Sequence, residues 1–317
     1  PFVGSYFHLK VRRFLKNKYK TPSEVIIHFI APISPVVQRY PSRHFLNVIG
    51  PVSGNIYHPP AFQSRQRAMP KFKASVHERT QRLLRFFNSN KRADKILVSG
   101  GDRTVKSLVT AGFSESDFAK VYDSGVNDIR PSAYISGHKK KGRFIWIGRL
   151  IEYKAADIAV RATALAQEGV TLDIVGDGPL REELEGLVNN LKLENRVCFR
   201  GWIENKRLVA DLPNYEGFVF PTLAEANGIV MQEAMMASLP VITLRWGGPA
   251  AIADDSMAIF IDPTNEDQVI KEIATSMNDL TANPEKGERL GKAAREHALK
   301  HYSWDTVAQS WLDAYPE

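Results

Sequence analysis

A single cysteine, Cys198, occurs in 317 residues, so no internal disulfide can form and the interior must hold by packing alone. Between Val197 and Phe199 it reads as a small buried hydrophobe in a protein of a reducing compartment. Long apolar runs are missing too. The longest candidate, Val25 to Ile33, is interrupted by His28 and Pro32, and a membrane-spanning helix needs about eighteen or more uninterrupted apolar residues. Pro1-Phe2-Val3-Gly4 shows no charged leader followed by an apolar core and cleavage site, so no signal peptide is expected; the absent initiator Met warns of a trimmed chain. No Asp-x-Asp, no zinc-spaced Cys/His cluster, no Gly-x-Ser-x-Gly and no P-loop occurs. A metal-bound diphosphate, a serine hydrolase and an ATPase are therefore unsupported, and neither a metal nor a cofactor is expected.

What is present is globular in character: 44% apolar, 24% charged and 10% aromatic residues, over a length that suggests two domains at about 150 residues each. Charge is divided unevenly. Residues 1–143 carry 26 Lys and Arg against 8 Asp and Glu, and residues 144–317 carry 16 against 27, giving +18 and −11 within the total of +7. So basic a first half attracts nucleic acid, anionic headgroups or phosphorylated substrates without selecting among them.

The second half alternates strand and helix. Phe144 to Gly148 and Thr171 to Val175 read as buried strands. A helix over Ala156 to Gln167 lies between them, and Leu180, Leu184, Leu187, Val188 and Leu191 share one helical face after the second. Further strands are expected at Arg196 to Phe199, Gly217 to Phe220 and Val241 to Leu244, with helices near Asn205 to Leu212 and Gly228 to Ala237. That rhythm builds a parallel sheet covered on both faces, with ligands at the carboxyl ends of its strands. The first half is less regular: strands at Val25 to Ile27, Phe45 to Ile49 and Lys95 to Val98, a Gly- and Pro-rich loop from Gly50 to Pro60, and a basic helical stretch over 64–92. The polar segment Asn127 to Gly142 marks the boundary, so the expected domains are 1–142 and 143–317. The chain opens on a basic segment instead of a strand and Gly-rich turn, and upstream strands are expected to be absent from it.

The segment Phe220 to Ile242 carries the most specific signal. It reads as strand, polar turn, helix and strand, and Gly228 sits where the helix begins. The amides of Gly228, Ile229 and Val230 are then unpaired donors at the positive end of a helix, suited to anionic oxygens or sugar hydroxyls. Glu225 precedes that end and Glu233 lies two turns into the helix.

This pair resembles the E-x7-E signature of the retaining glycosyltransferases of family 4, which have the GT-B fold: α/β, two Rossmann-like domains facing across a cleft. The likeness implies that Glu225 and residues Asn227 to Val230 hold the donor sugar and that Glu233 takes the ribose hydroxyls. Gly148-Arg149-Leu150-Ile151-Glu152-Tyr153-Lys154 resembles the family's G-R-L-x-x-x-K element. Arg149 and Lys154 there can reach a diphosphate and stabilise charge on a departing nucleoside diphosphate. Gly176-Asp177-Gly178-Pro179 is similar to a family turn between strand and helix. Trp202-Ile203 lies where relatives meet the nucleobase, and Trp246-Gly247-Gly248-Pro249 matches a loop that lets backbone approach the donor. Gly50-Pro51-Val52-Ser53-Gly54 resembles a Gly-rich loop of the first domain, and His28, at a strand end, is the histidine that faces the donor sugar in relatives. Ala226, Asn227 and Ser238 depart from the usual residues, which bears on donor identity more than on fold.

The resemblance implies a metal-independent transferase that moves a sugar, with retention of configuration, from a nucleotide diphosphate sugar to a glycan or lipid-linked acceptor in cell-surface polysaccharide synthesis. Val11 to Lys20 mixes cations with apolar groups in a way suited to an anionic membrane surface, so a cytoplasmic protein peripheral to the inner face is expected. Nucleic acid is not an expected partner, because the aromatic and basic signature of the common binding modules is missing. A nucleotide-sugar epimerase of the same fold and a non-catalytic nucleotide-sugar-binding relative are the alternatives.

Overall fold

Phe144-Ile145-Trp146-Ile147 is apolar at every position, and a strand apolar on both faces belongs inside a parallel sheet with helices above and below. The computed structural model, which describes residues 2–19, 21, 25–30, 41–53, 57–65, 92–129 and 141–316, places it there. The chain divides into two units. Helix α1 (Phe2–Lys18), strands β1 (Ile26–Phe29), β2 (Leu46–Val52) and β3 (Lys95–Val98), helix α2 (Asp102–Thr110) and strand β4 (Phe118–Lys120) belong to unit 1. Its sheet is parallel in the order β1-β2-β3-β4. Strand alternation sorts the side chains into two layers. Ile49, Val52, Ile96 and Val98 pack with Leu108 and Phe113 on one face. Val48, Leu97 and Val121 meet Trp311, Ala314 and Tyr315 on the other.

Unit 2 contains β5 (Arg143–Ile147), α3 (Ala156–Leu165), β6 (Thr171–Val175), α4 (Arg181–Asn190), β7 (Val197–Gly201), α5 (Asn205–Asp211), β8 (Gly217–Phe220), α6 (Ile229–Met236), β9 (Val241–Leu244), α7 (Gly247–Ile252), β10 (Ala258–Ile261), α8 (Glu266–Ala282) and α9 (Pro284–His301). Helix α10 (Trp304–Asp313) then carries the chain back into unit 1. The six strands are all parallel in the order β10-β9-β8-β5-β6-β7. The chain winds outward from β5 to β7, returns to β8 on the other side of β5, and winds outward again. Such a reversal opens a crevice at the carboxyl ends of the two central strands, here β5 and β8. At the opposite end Arg143 Nη2 donates to Asp173 Oδ2 at 2.7 Å and to the Tyr215 hydroxyl at 3.0 Å, and that hydroxyl donates to Asp173 at 2.7 Å. Burial and the adjacent carboxylate push the Tyr215 hydroxyl far above its usual pKa.

Several expectations need correction. The single boundary at 142/143 is replaced by four passages: among the described residues, 57–65 and 124–306 form unit 2, and 307–316 return to unit 1. The early segment joins unit 2 because Phe62 is buried in its core and the Arg65 guanidinium pairs with Asp157 and Glu266. The loop expected from Gly50 begins later, since β2 continues through Val52. Gly50, at φ +132°, lies against the backbone of Leu97, where any side chain would collide. Cys198 is exposed, because β7 is an edge strand whose alternate residues face outward. The expected basic helix falls outside the described residues apart from its ends, as does most of the polar boundary segment.

Candidate active site

The loops after β5 and β6 are fitted to each other by glycine. Gly176, at φ +126°, lies against the carbonyl of Gly148, and a Cβ on Gly178 would sit 2.5 Å from the Leu150 oxygen. Leu150 N–H donates to the Asp177 carbonyl at 3.0 Å, and Leu180 N–H to the Leu150 carbonyl at 3.1 Å. So fixed, the loop passes exposed Arg149 and enters a 3-10 turn, Glu152–Lys154. The loop after β8 is tied to that turn by the Leu223 N–H, which donates to the Tyr153 carbonyl at 2.8 Å.

These ties bring Lys154 and Glu225 into a direct ion pair. Both side chains are 18% exposed. The ammonium also lies 5.5 Å from the centre of the Phe220 ring and 5.9 Å from that of Tyr153, where ring faces favour a cation. The Glu225 carbonyl accepts the Gly248 N–H at 2.8 Å. The Gly-Gly-Pro loop thus approaches closely enough that a Cβ on Gly248 would stand 2.5 Å from the Ala226 oxygen.

Gly228 takes a left-handed conformation, φ +80° and ψ +54°, and caps the start of α6. A residue with a Cβ would be strained there. The helix begins at Ile229, whose side chain is exposed, followed by half-buried Val230. Asn227 and Gln232 are buried, and Gln232 Nε2 donates to Asn227 Oδ1 at 3.0 Å, bracing the turn from behind. One helical segment on, Glu233 accepts from Asn205 Nδ2 at 2.8 Å, and burial raises its carboxyl above the ordinary range, partly opposed by that bond. Trp202 stands at the end of β7 with 77% of its surface exposed, beside half-buried Ile203.

The structure therefore brings together Gly148, Arg149, Lys154, Glu225 and Asn227 to Val230 around the carboxyl ends of β5 and β8, with Glu233 further along α6. Sequence reasoning missed Asn205, Gln232 and the two rings beside Lys154. Asn205 and Gln232 carry no motif, whereas the apolar wall was readable from Phe220 and Tyr153. Among the described residues, no group of three or more His, Cys, Asp or Glu side chains is placed to hold a metal ion.

His28 belongs to unit 1, at the end of β1. Its Nε2 lies 2.9 Å from the Gly50 carbonyl, which can only accept, so Nε2 carries the proton and Nδ1 accepts from the Tyr315 hydroxyl at 2.8 Å. Burial lowers its pKa, opposed by the Gly50 bond. Both ring nitrogens are thus engaged within unit 1, and Trp311 and Tyr315 meet the ring edge-on.

A family model described as Glycosyl transferases group 1 matches residues 133–297, more than half of the chain and the whole of the loop system above. The chain belongs to this family. A mannosyltransferase of Mycolicibacterium smegmatis, named as GDP-mannose-dependent and acting on phosphatidylinositol monomannoside, is 30% identical over 173 residues, 51% of this chain and 44% of that protein. The chain spans less than half the length of the curated relatives it matches. Among solved structures, the pneumococcal O-GlcNAc transferase GtfA in complex with UDP and GlcNAc aligns with 85% of this chain and 52% of its own, at a TM-score of 0.64 and 18% identity. HepE of Anabaena, in complex with UDP and glucose, aligns with 85% and 71%, at 0.64 and 19%. These likenesses establish the fold as GT-B. No helix among the described residues of this family member is long and apolar enough to cross a membrane.

Proposed function

We propose that this group 1 family member transfers a sugar from a nucleotide diphosphate sugar to a glycan or lipid-linked acceptor, with retention of configuration and without a metal, in cell-surface polysaccharide synthesis. The observation that carries the reading is the convergence of Lys154, Glu225 and the N-terminus of α6 at the β5/β8 reversal. A diphosphate needs fixed cations and amide donors, and a sugar needs a carboxylate to orient its hydroxyls. Arg149 and Lys154 would take the diphosphate and stabilise the charge that develops as the anomeric bond breaks. Glu225 and the segment Asn227 to Val230 would hold the sugar, Glu233 the ribose, and Trp202 with Ile203 the base. The part of His28 in catalysis is proposed on family likeness alone. UDP and sugar in the complexes of GtfA and HepE support a nucleotide-sugar donor here.

The basic α1 supports an anionic membrane surface as a further partner. Phe14 is 61% exposed, and the Lys18 ammonium lies 5.9 Å from its ring and 5.2 Å from that of Tyr19. The test of function is a thermal-shift screen of nucleoside diphosphates and their sugar esters, followed by product analysis with any ester that stabilises the protein. Sugar transfer with the anomeric configuration kept is the expected result. Stabilisation by none of them, or an epimerised donor as the product, would refute the reading.

A further inference from the structure

Two histidines stand one turn apart at the carboxyl end of α9, on an element that contributes nothing to the loops around Lys154 and Glu225. His297 and His301 are spaced i, i+4, so their side chains lie on one face of the helix. Their ring centres are 4.5 Å apart and the ring planes are inclined by 37°. Both residues are half-buried, so solvent reaches the pair. The buried Tyr302 hydroxyl fixes the first ring. It has one proton, which it donates to the Ile252 carbonyl at the end of α7, so toward His297 it can only accept. His297 Nε2, 3.0 Å away, therefore carries the ring proton, and Nδ1 is left with an unshared pair. A histidine whose second nitrogen donates to a fixed oxygen is held in the tautomer and orientation of a metal ligand. Burial lowers the pKa of both rings; His301 and Lys300 lower His297 further, against Asp254, and Lys300 lowers His301. Both rings are thus neutral near pH 7, the form that binds a metal.

We infer that His297 and His301 form a binding site for a divalent transition-metal ion that favours nitrogen ligands: copper(II), nickel or zinc. An ion about 2.0–2.1 Å from each nitrogen stands about 3.2 Å from each ring centre, and two rings subtending about 90–110° at it have centres about 4.5–5.2 Å apart. The observed 4.5 Å falls at the near edge of that range, so rotation of the rings closes the chelate without moving the helix. No third His, Cys, Asp or Glu completes the set among the described residues, and water fills the remaining positions. Two imidazoles select against magnesium and calcium, which take oxygen ligands. The last turn of α9 presents its carbonyls to the site, and these favour a cation. The Asp254 carboxylate, which favours positive charge at His297, adds to this, and Lys300 subtracts from it. The ion has no part in sugar transfer, and the inference stands apart from the donor reading.

A pair that only packs against Tyr302 would not respond to metal. Isothermal titration of the full chain, free of any polyhistidine tag, with the chlorides of copper(II), nickel, zinc and magnesium separates the two cases. Wild type should take one ion per chain, with affinity highest for copper(II), lower for nickel and zinc, and none for magnesium, the order that imidazole ligands impose. Zinc should also raise Tm, since it binds the folded chain. Tyr302→Phe keeps both ligands and removes only the hydroxyl that orients one of them, and should weaken binding about 10–100-fold. His297→Ala and His301→Ala should each weaken it by at least as much, and they decide alone should Tyr302→Phe not fold. The paramagnetic resonance of bound copper(II) should show two coupled nitrogens in wild type and one in either histidine variant. Absence of a response to copper(II), nickel and zinc in wild type, or an undiminished response in both histidine variants, overturns the inference and leaves the transfer reading untouched.

Discussion

Replacing Gly248 by alanine should impair transfer far more than it impairs folding. The new Cβ would lie 2.5 Å from the Ala226 oxygen, 2.6 Å from the Ala226 carbonyl carbon and 2.8 Å from the Asn227 nitrogen. Carbon atoms in good contact sit about 3.5–4.0 Å apart, so something must give by about 1 Å. The obstacle is main chain, which cannot swing aside as a long side chain would. The Gly248 N–H also donates to the Glu225 carbonyl at 2.8 Å, so the strain passes into the turn that carries the Glu225 carboxylate, to which the proposed function gives the orienting of the sugar. Overpacking of this kind costs about 1–3 kcal/mol, or roughly 2–4 °C in Tm per kcal/mol for a unit of this size. A shift of about 1 Å in a positioning group costs on the order of 100-fold in rate. The assay is donor consumption alongside Tm, with Gly186→Ala as the control. Gly186 lies within α4 with nothing inside 4 Å of an added Cβ, and alanine there should stabilise by about 0.5–1 kcal/mol without altering turnover. Turnover of Gly248→Ala within threefold of wild type would refute the reasoning.

Four further outcomes are expected. Trp202→Ala should weaken nucleotide binding by about 1–3 kcal/mol, the usual worth of one stacked base, with little change in Tm; equal affinity in titration removes the stacking role. Arg143→Met strands the buried Asp173 carboxylate and should cost about 3–5 kcal/mol in urea unfolding while ligand affinity of the folded protein stays the same, and a loss under 1 kcal/mol would contradict this. Because burial lowers the pKa of His28 in the folded state, the unfolded chain takes up its proton first. The stability His28 contributes is therefore complete above its ordinary value of 6.5 and is lost as pH falls through the folded value. His28→Phe should make the fall in Tm between about pH 7 and 5 shallower, and an unaltered slope would count against it. Finally, the chain should co-sediment with anionic liposomes more than with neutral ones at low salt, and equal sedimentation would remove α1 as a membrane contact.

The second half was largely legible because its central strands are apolar on both faces and glycines mark the turn after β6 and the start of α6. The β5 run, the Gly176–Gly178 turn and the Gly228 cap all stand where their residue types require. Strand β10 and helices α8 to α10 were not anticipated, since their order in space depends on long-range pairing that periodicity does not encode. The first half was less readable. Gly50-Pro51 looks like a loop in sequence, but the close approach of Leu97 makes glycine the residue that lets β2 continue. Cys198 was misread because neighbours in sequence do not reveal that a strand lies at a sheet edge. Arg149, Lys154 and Glu225 were found by motif, but their motifs did not show that two of them neutralise each other.

The packing of Trp311 and Tyr315 on the sheet of unit 1 sets an order on synthesis. Strands β1 to β4 leave the ribosome early, yet one layer of their core is supplied by residues translated nearly two hundred positions after β4. Until those residues emerge, Val48 and Leu97 lack their covering, and the half-built sheet is the species most exposed to chaperones and to aggregation.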